Sequence, residues 1–220
     1  MSQTSITIVR FPEIQLTTRD AHKFRGYFAN CFKEYSDYFH NHQADGSPIY
    51  RYPLIQYKVI KQIPVLTGIA AGAEVLTNKF LSLENLNIGD KSFPIYQKNI
   101  EHQQVDIGVK NDLFEYRFST LWMALNQSNY EKFKKVSPDA QKQMLKNILT
   151  ANMLSFFKGI NHYESQKVNI TLNVSTRETQ LKNQSMLAFS GSFVSNTLLP
   201  SYIGLGKSVS RGFGSILRLS

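Results

Sequence analysis

Ile6-Thr7-Ile8-Val9-Arg10-Phe11 alternates apolar with polar residues and is stopped by Pro12, the pattern of a β-strand. The neighbouring segments decide how that strand is used. Thr18 or Asp20 is placed to cap a helix whose Phe24, Phe28, Phe32 and Tyr35 recur at helical spacing on one face. Gln43-Ala44-Asp45-Gly46-Ser47-Pro48 is rich in turn formers. Two strand-like runs come next, Tyr50 to Ile60 and Val65 to Ile69. A break at Ala70-Ala71-Gly72-Ala73 opens a helix predicted from Glu74 to about Leu83, and strand signals return at Phe93 to Tyr96 and Glu101 to Val109.

That order, β-α-β-β-α-β, is the ferredoxin-like arrangement. The remaining residues repeat it less cleanly. Leu113 to Leu125 begins as a strand, with Phe114, Tyr116 and Phe118 on alternate positions. Ser137 and Pro138 form a helix opening, and Gly159 stops that helix after Met144, Leu145, Ile148, Leu149, Met153, Leu154 and Phe156. Val168 to Val174 alternates strongly, and Ser185 to Thr197 reads as its partner. A second long helix is reduced to Leu198 to Tyr202, and the chain ends in a strand, Ser215 to Leu219. The expected fold class is therefore α+β, with tandem ferredoxin-like domains over residues 1–110 and 111–220. The second carries a reduced helix and a C-terminal glycine-rich loop.

With 220 residues, 42% of them hydrophobic, the chain can bury one large or two small cores. Lys and Arg outnumber Asp and Glu by 25 to 16, a net charge of +9 that favours a polyanionic partner: RNA, DNA or an acidic membrane. No run approaches the ~18 apolar residues of a membrane-spanning helix. Met1-Ser2-Gln3-Thr4 lacks the basic and apolar segments of a signal peptide. Cys31 stands alone, which excludes an intrachain disulfide and a cysteine zinc cage. The expectation is a cytoplasmic protein without a membrane partner and without a cofactor.

Two motifs carry chemistry. The first is Gly204-Leu205-Gly206-Lys207-Ser208-Val209-Ser210-Arg211-Gly212-Phe213-Gly214. Glycines let a backbone approach a ligand closely, and Lys207 and Arg211 add positive charge to the same loop. Gly206-Lys207-Ser208 matches the end of a nucleotide-binding P-loop, but that motif's first glycine would fall at Ser201 and too few residues remain for its helix. A structural hairpin and an RNA-contacting loop are the other readings, and the basic residues favour RNA. Under that reading a bulky residue at Gly212 or Gly214 should lower RNA affinity while leaving the melting point unchanged.

The second motif is Phe39-His40-Asn41-His42, at the end of the first predicted helix. No Asp, Glu or Cys at ligand spacing completes a metal site around the two histidines, so no metal is expected there. A surface histidine pair with no role is the plain alternative. RNA cleavage without a metal needs a base for the 2′-OH proton and an acid for the departing 5′-oxygen. Imidazole, with an unperturbed pKa of ~6.5, suits both at neutral pH.

His40-Asn41-His42, the turn after it and Tyr50-Arg51-Tyr52-Pro53-Leu54-Ile55-Gln56-Tyr57-Lys58 resemble the N-terminal half of the CRISPR-associated repeat-processing endoribonucleases, closest to those of subtype I-B systems. Gly204 to Gly214 resembles the glycine-rich signature of the wider repeat-associated RNA-binding superfamily. The resemblance implies tandem ferredoxin-like domains that cleave pre-crRNA by 2′-OH attack, leaving a 2′,3′-cyclic phosphate and a 5′-OH. It implies His40 and His42 as the acid–base pair, without assigning which is base. Tyr50, Lys33 and Lys58 would position the phosphate or stabilise its developing charge; ordinary strand packing is the alternative for Tyr50. Lys207 and Arg211, with the backbone at Gly204, Gly206, Gly212 and Gly214, would bind RNA. Lys132, Lys134 and Lys135 read as a solvated charge run at the rim. The implied partner is CRISPR repeat RNA, with a multi-subunit CRISPR interference complex and a homodimer as further associations. The competing function is a non-catalytic RNA-binding subunit of such a complex, which needs no histidine pair.

Overall fold

A computed structural model describes residues 2–31, 51–80, 83–181 and 184–219. They form two compact units. The first is Met1–Asp106 with Gly159–Asn161 and Ser210–Gly212; the second is Ile107–Lys158 with His162–Val209 and Phe213–Ser220.

In the first unit, β1 (Ser2–Arg10) leads through a 3-10 turn (Thr18–Asp20) into α1 (Ala21–Cys31). The cap is Thr17, one residue ahead of the expected pair: its amide and hydroxyl donate to the Asp20 carboxylate at 3.0 and 2.7 Å. Strands β2 (Ile55–Ile60) and β3 (Ile63–Ile69) form an antiparallel hairpin. Lys61 and Gln62 close it with φ of +49° and +66°, the two-residue turn whose twist matches the flanking strands. Helix α2 (Ala71–Phe80) starts three residues before the expected Glu74. The break is confined to Ala70, at φ +51°, whose amide donates to the Ser5 carbonyl at 2.8 Å. A small hairpin, β4 (Asn85–Ile88) and β5 (Lys91–Pro94), precedes β6 (Asn99–Phe118).

The strand order is β2-β3-β1-β6, with β1 and β3 antiparallel. Strand alternation sends Ile55, Tyr57 and Val59 into a core with Val9, Phe24, Phe28, Leu66 and Leu76. Phe24 meets Phe28 and Tyr57 edge-on at 5.2 and 5.8 Å, and Phe28 stacks on Tyr57 at 6.1 Å. Burying such aromatic side chains contributes about 1.5–3 kcal/mol each.

The second unit begins on the same strand. The expected pair of strands, Glu101 to Val109 and Leu113 onward, is one 20-residue strand, β6. Lys110-Asn111-Asp112, whose polarity reads as a break, marks instead a shift in register against β8 between Val109 and Phe114. Glu164 accepts the Val109 amide at 2.8 Å beside that shift. Then come α3 (Gln127–Phe133), α4 (Pro138–Gly159), β7 (Ile170–Leu181), β8 (Gln184–Leu198) and β9 (Ile216–Arg218). Helix α3 is additional to the expected elements; Asn126 caps it by accepting the Asn129 amide at 2.7 Å.

Here the order is β9-β6-β8-β7. This repeats the first unit with β6 now in the place of β1, so the chain is a tandem ferredoxin-like α+β fold. Among the described residues, a 3-10 turn at Val209–Arg211 is the helical element between β8 and β9: the helix is reduced as expected, but not at Leu198 to Tyr202, where Leu198 ends β8 and the chain then turns. Trp122 has no exposed surface, stacks on Phe118 at 5.2 Å and donates its indole N–H to Asn152 at 3.1 Å. The Tyr116 hydroxyl donates to the Thr197 carbonyl at 3.0 Å and accepts the Leu199 amide at 2.8 Å; burial pushes its pKa up to about 12. Among the described residues no helix is long and apolar enough to cross a membrane.

Candidate nucleic-acid interface

Lys33, His40, His42 and Tyr50 lie outside the described residues. Lys58 lies within them, on β2. With Ile55, Tyr57 and Val59 turned to the helices, period-two alternation sends Gln56 and Lys58 to the opposite face, and both have no exposed surface. The Lys58 amine donates to Gln56 Oε1 at 2.8 Å. Gln56 Nε2 donates to the Tyr52 hydroxyl at 2.8 Å and the Pro53 carbonyl at 3.1 Å. Burial holds the Lys58 ammonium well below the usual lysine range. The expected direct contact between Lys58 and a phosphate therefore has no exposed amine to occur on. Lys58 instead anchors a buried chain that runs through Gln56 to Tyr52. Gln56 is not singled out by the sequence, because its pattern there is that of any polar strand residue.

The glycine-rich loop is packed against its own chain. Gly204 pairs with Ser215, the Leu205 amide donates to the Gly214 carbonyl at 2.9 Å, and the Lys207 amide donates to the Met123 carbonyl at 2.9 Å. Gly214, at φ +66°, would set a Cβ on top of the Leu205 carbonyl oxygen, and Gly212, at φ +90°, would set one 2.9 Å from the Tyr57 carbonyl oxygen. Gly206 similarly abuts Met123 and the Trp122 ring at 2.8 Å. A side chain at Gly212 or Gly214 thus collides with backbone before it meets any ligand, so the expectation of an unchanged melting point does not hold on this geometry. The charges are differently disposed: Lys207 is exposed and Arg211 is half-buried.

In the first unit the segment carrying Arg211 rests on α1 and β2. A Cβ at Gly212 would lie 3.7 Å from the Ala21 Cβ and 3.3 Å from the Lys58 Cα. Arg25 stands one turn along α1 from Ala21. Its guanidinium is held below the usual arginine range by burial and by the charge of Arg211, against an opposing effect of Tyr57. The Tyr57 hydroxyl is buried and has no hydrogen-bond partner among the described residues.

The described histidines are scattered. His22 bonds the Arg19 carbonyl at 2.6 Å, His102 bonds Thr7 at 2.8 Å, and His162 lies 3.4 Å from Glu164. Among the described residues no three His, Cys, Asp or Glu side chains form a group able to hold a metal ion.

Both units match known proteins. Residues 3–106 match the Cas6b N-terminal domain and residues 108–219 the Cas6b C-terminal domain. A crystal structure of Cas6b is similar with a TM-score of 0.94 at 32% identity, covering 99% of this chain and 100% of that one. A crystal structure of the CRISPR RNA processing endoribonuclease Cas6b has a TM-score of 0.80 at 31% identity, covering 99% and 100%. An uncharacterized protein of Methanocaldococcus jannaschii is 29% identical over 140 residues, 63% of this chain and 95% of that one. A repeated ferredoxin-like order, a basic loop closing the second unit and family matches that run from residue 3 to residue 219 lead to one conclusion: the chain belongs to the Cas6b family.

Proposed function

We propose that this chain is a metal-independent endoribonuclease that cuts CRISPR repeat RNA into mature guide RNAs. The observation that carries this reading is the likeness over 99% of the chain, at 31% identity, to a CRISPR RNA processing endoribonuclease. The net charge of +9 suits an RNA partner.

In the proposed reaction the 2′-oxygen attacks the adjacent phosphorus and the bond from phosphorus to the 5′-oxygen breaks. One of His40 and His42 takes the 2′-OH proton, and the other gives a proton to the leaving 5′-oxygen. The products are a 2′,3′-cyclic phosphate and a 5′-OH. Lys33 and Tyr50 hold the scissile phosphate and stabilise charge on its oxygens. Lys58 is a positioning residue: it acts through Gln56 on Tyr52, two residues beyond Tyr50. Lys207 and Arg211 contact RNA phosphates from the loop whose course Gly204, Gly206, Gly212 and Gly214 fix.

Incubation of the purified protein with repeat RNA in EDTA tests this. The expected result is a single cut with cyclic-phosphate and 5′-OH ends, and no cut when the sugar just 5′ of the scissile phosphate is 2′-deoxy. Activity lost in EDTA and restored by Mg²⁺, or cutting of the deoxy substrate, would refute the mechanism. RNA bound and left intact would identify a non-catalytic RNA-binding subunit instead. Size-exclusion chromatography with RNA bound reads whether a homodimer forms, and co-purification reads whether the chain joins an interference complex.

A further inference from the structure

We propose that Tyr163 is a stacking post for one unpaired base of the bound RNA. The post rests on the RNA-processing reading above and adds to it a contact made through a base rather than a phosphate.

Tyr163 stands in the stretch between α4 and β7, and 88% of its surface is exposed. The residues on either side of it are turned the other way. The His162 and Glu164 side chains are 15% and 7% exposed and lie 3.4 Å apart. The His162 amide donates to the Phe157 carbonyl at 2.8 Å, and its ring meets the Phe157 ring edge-on at 4.8 Å. One carboxylate oxygen of Glu164 accepts the Val109 amide at 2.8 Å, and the other accepts the Gln166 amide at 2.9 Å. Both side chains close on Gly108, where a Cβ would stand 3.1 Å from Glu164 Oε2 and 3.4 Å from His162 Nε2. The chain is thus fastened immediately before and after Tyr163. Among the described residues neither the Tyr163 ring nor its hydroxyl has a partner.

A ring held out in water contributes little to folding. A loop already fastened, however, loses little freedom when a ligand settles on it. The surroundings select that ligand. Lys158 follows Phe157, Lys110 follows Val109 and Lys167 follows Gln166, so each lysine is next to a residue whose backbone is bonded to His162 or Glu164. None of the three amines has a carboxylate partner among the described residues. The adjacent carboxylate, Glu164, is buried and occupied on both oxygens. One aromatic face among unpaired cations is what a single-stranded nucleic acid uses: the ring carries a base and the cations its backbone. A protein partner fits less well. Interface cores are apolar and depleted in charge, whereas Ser165, Gln166 and Lys167 follow Tyr163. In the sequence Tyr163 lies in a polar stretch without periodicity, so its exposure between two buried neighbours is what marks it.

The test is binding of repeat RNA, read by fluorescence anisotropy over a salt series, for the wild type, Y163F, Y163L and Y163A. The RNA is used intact and with a single abasic sugar placed at each position in turn. Y163A should lose affinity by at least about fivefold, the lower end for one base on one ring. Its salt slope and melting point should stay at the wild-type values, because no charge and no packed side chain is lost. Y163F should bind as the wild type does, and Y163L, apolar without a π face, should fall with Y163A. One abasic position should weaken the wild type and cost Y163A nothing further. Wild-type affinity in Y163A would overturn the post. So would Y163L binding as well as Y163F, which would mean a plain apolar contact, or abasic losses that all persist in Y163A. RNA bound and cut by the wild type and Y163A alike sinks the post alone and leaves the ring to a protein partner. A wild type that neither binds nor cuts repeat RNA sinks the function it rests on.

Discussion

Replacing Lys58 by Met should flatten the dependence of stability on pH. The Lys58 amine has no exposed surface and, among the described residues, donates one hydrogen bond, to Gln56 Oε1 at 2.8 Å. Burial lowers its pKa in the folded chain, while the unfolded chain keeps the ordinary value of 10.5. Between those two values the unfolded state binds the extra proton, so stability rises with pH across that window. It is complete above 10.5 and is lost as pH falls through the folded value. The largest slope one such group can give is about 1.36 kcal/mol per pH unit. For a chain of this size that corresponds to about 3–5 °C of melting temperature per pH unit. Met fills similar space without a charge, so K58M should lack this slope. Its offset from wild type at any one pH is less telling, because relief of desolvation opposes the about 0.5–1.5 kcal/mol of the lost Lys58 hydrogen bond to Gln56 Oε1. Urea unfolding of both proteins from pH 7 to pH 10, followed by the fluorescence of the single tryptophan, Trp122, reads the difference directly. Parallel stability–pH curves would refute the reasoning, since they would mean the amine titrates alike in the folded and unfolded chains.

H40A and H42A should each cut repeat RNA at least about 100-fold more slowly under single-turnover conditions while binding it as the wild type does. G214V should lose at least about 2 kcal/mol, or about 4–8 °C of melting temperature, from strain and overlap with the Leu205 carbonyl; an unchanged melting point would show that the loop yields easily. Y116F removes the hydroxyl that accepts the Leu199 amide at 2.8 Å and should cost about 1–3 kcal/mol. Because the folded Tyr116 pKa is raised from 10.0 to about 12, its contribution is present below pH 10 and lost as pH rises through about 12. Wild type and Y116F should therefore converge in stability as pH rises from 10 towards 12.

The order of elements is legible because each carries its own local signal: alternation in Ile6 to Phe11, helical spacing of Phe24 and Phe28, Pro138 after Ser137. The continuity of β6 is not. Lys110-Asn111-Asp112 is polar, but ladder hydrogen bonds are made by backbone, which pairs regardless of side-chain polarity. Glycine spacing in the C-terminal loop shows that a Cβ is excluded there. Only packing shows what excludes it: Tyr57, Leu205 and Met123 of the same chain. Lys58 misleads for a related reason. A strand with apolar residues on one face suggests water on the other, and that β2 is buried on both faces is a tertiary fact. Gln56 takes its role from partners close in sequence, Tyr52, Pro53 and Lys58, but only burial of that face of β2 makes them a closed chain. The histidine pair, the sharpest chemical signal in the sequence, lies outside the described residues.

Strand β6 is the last strand of one ferredoxin-like unit and the first of the next, and its alternation changes phase on the way: Ile107 and Val109 are buried at odd positions, Tyr116 and Phe118 at even ones. On either side of that change, one residue gained or lost would turn the side chains beyond it over to the wrong face, as far as the point where the pairing shifts. The register shift between Val109 and Phe114 is where such a change can be absorbed, because pairing with β8 is already interrupted there. Among relatives, differences in chain length along this strand should collect between those two residues and be scarce on either side.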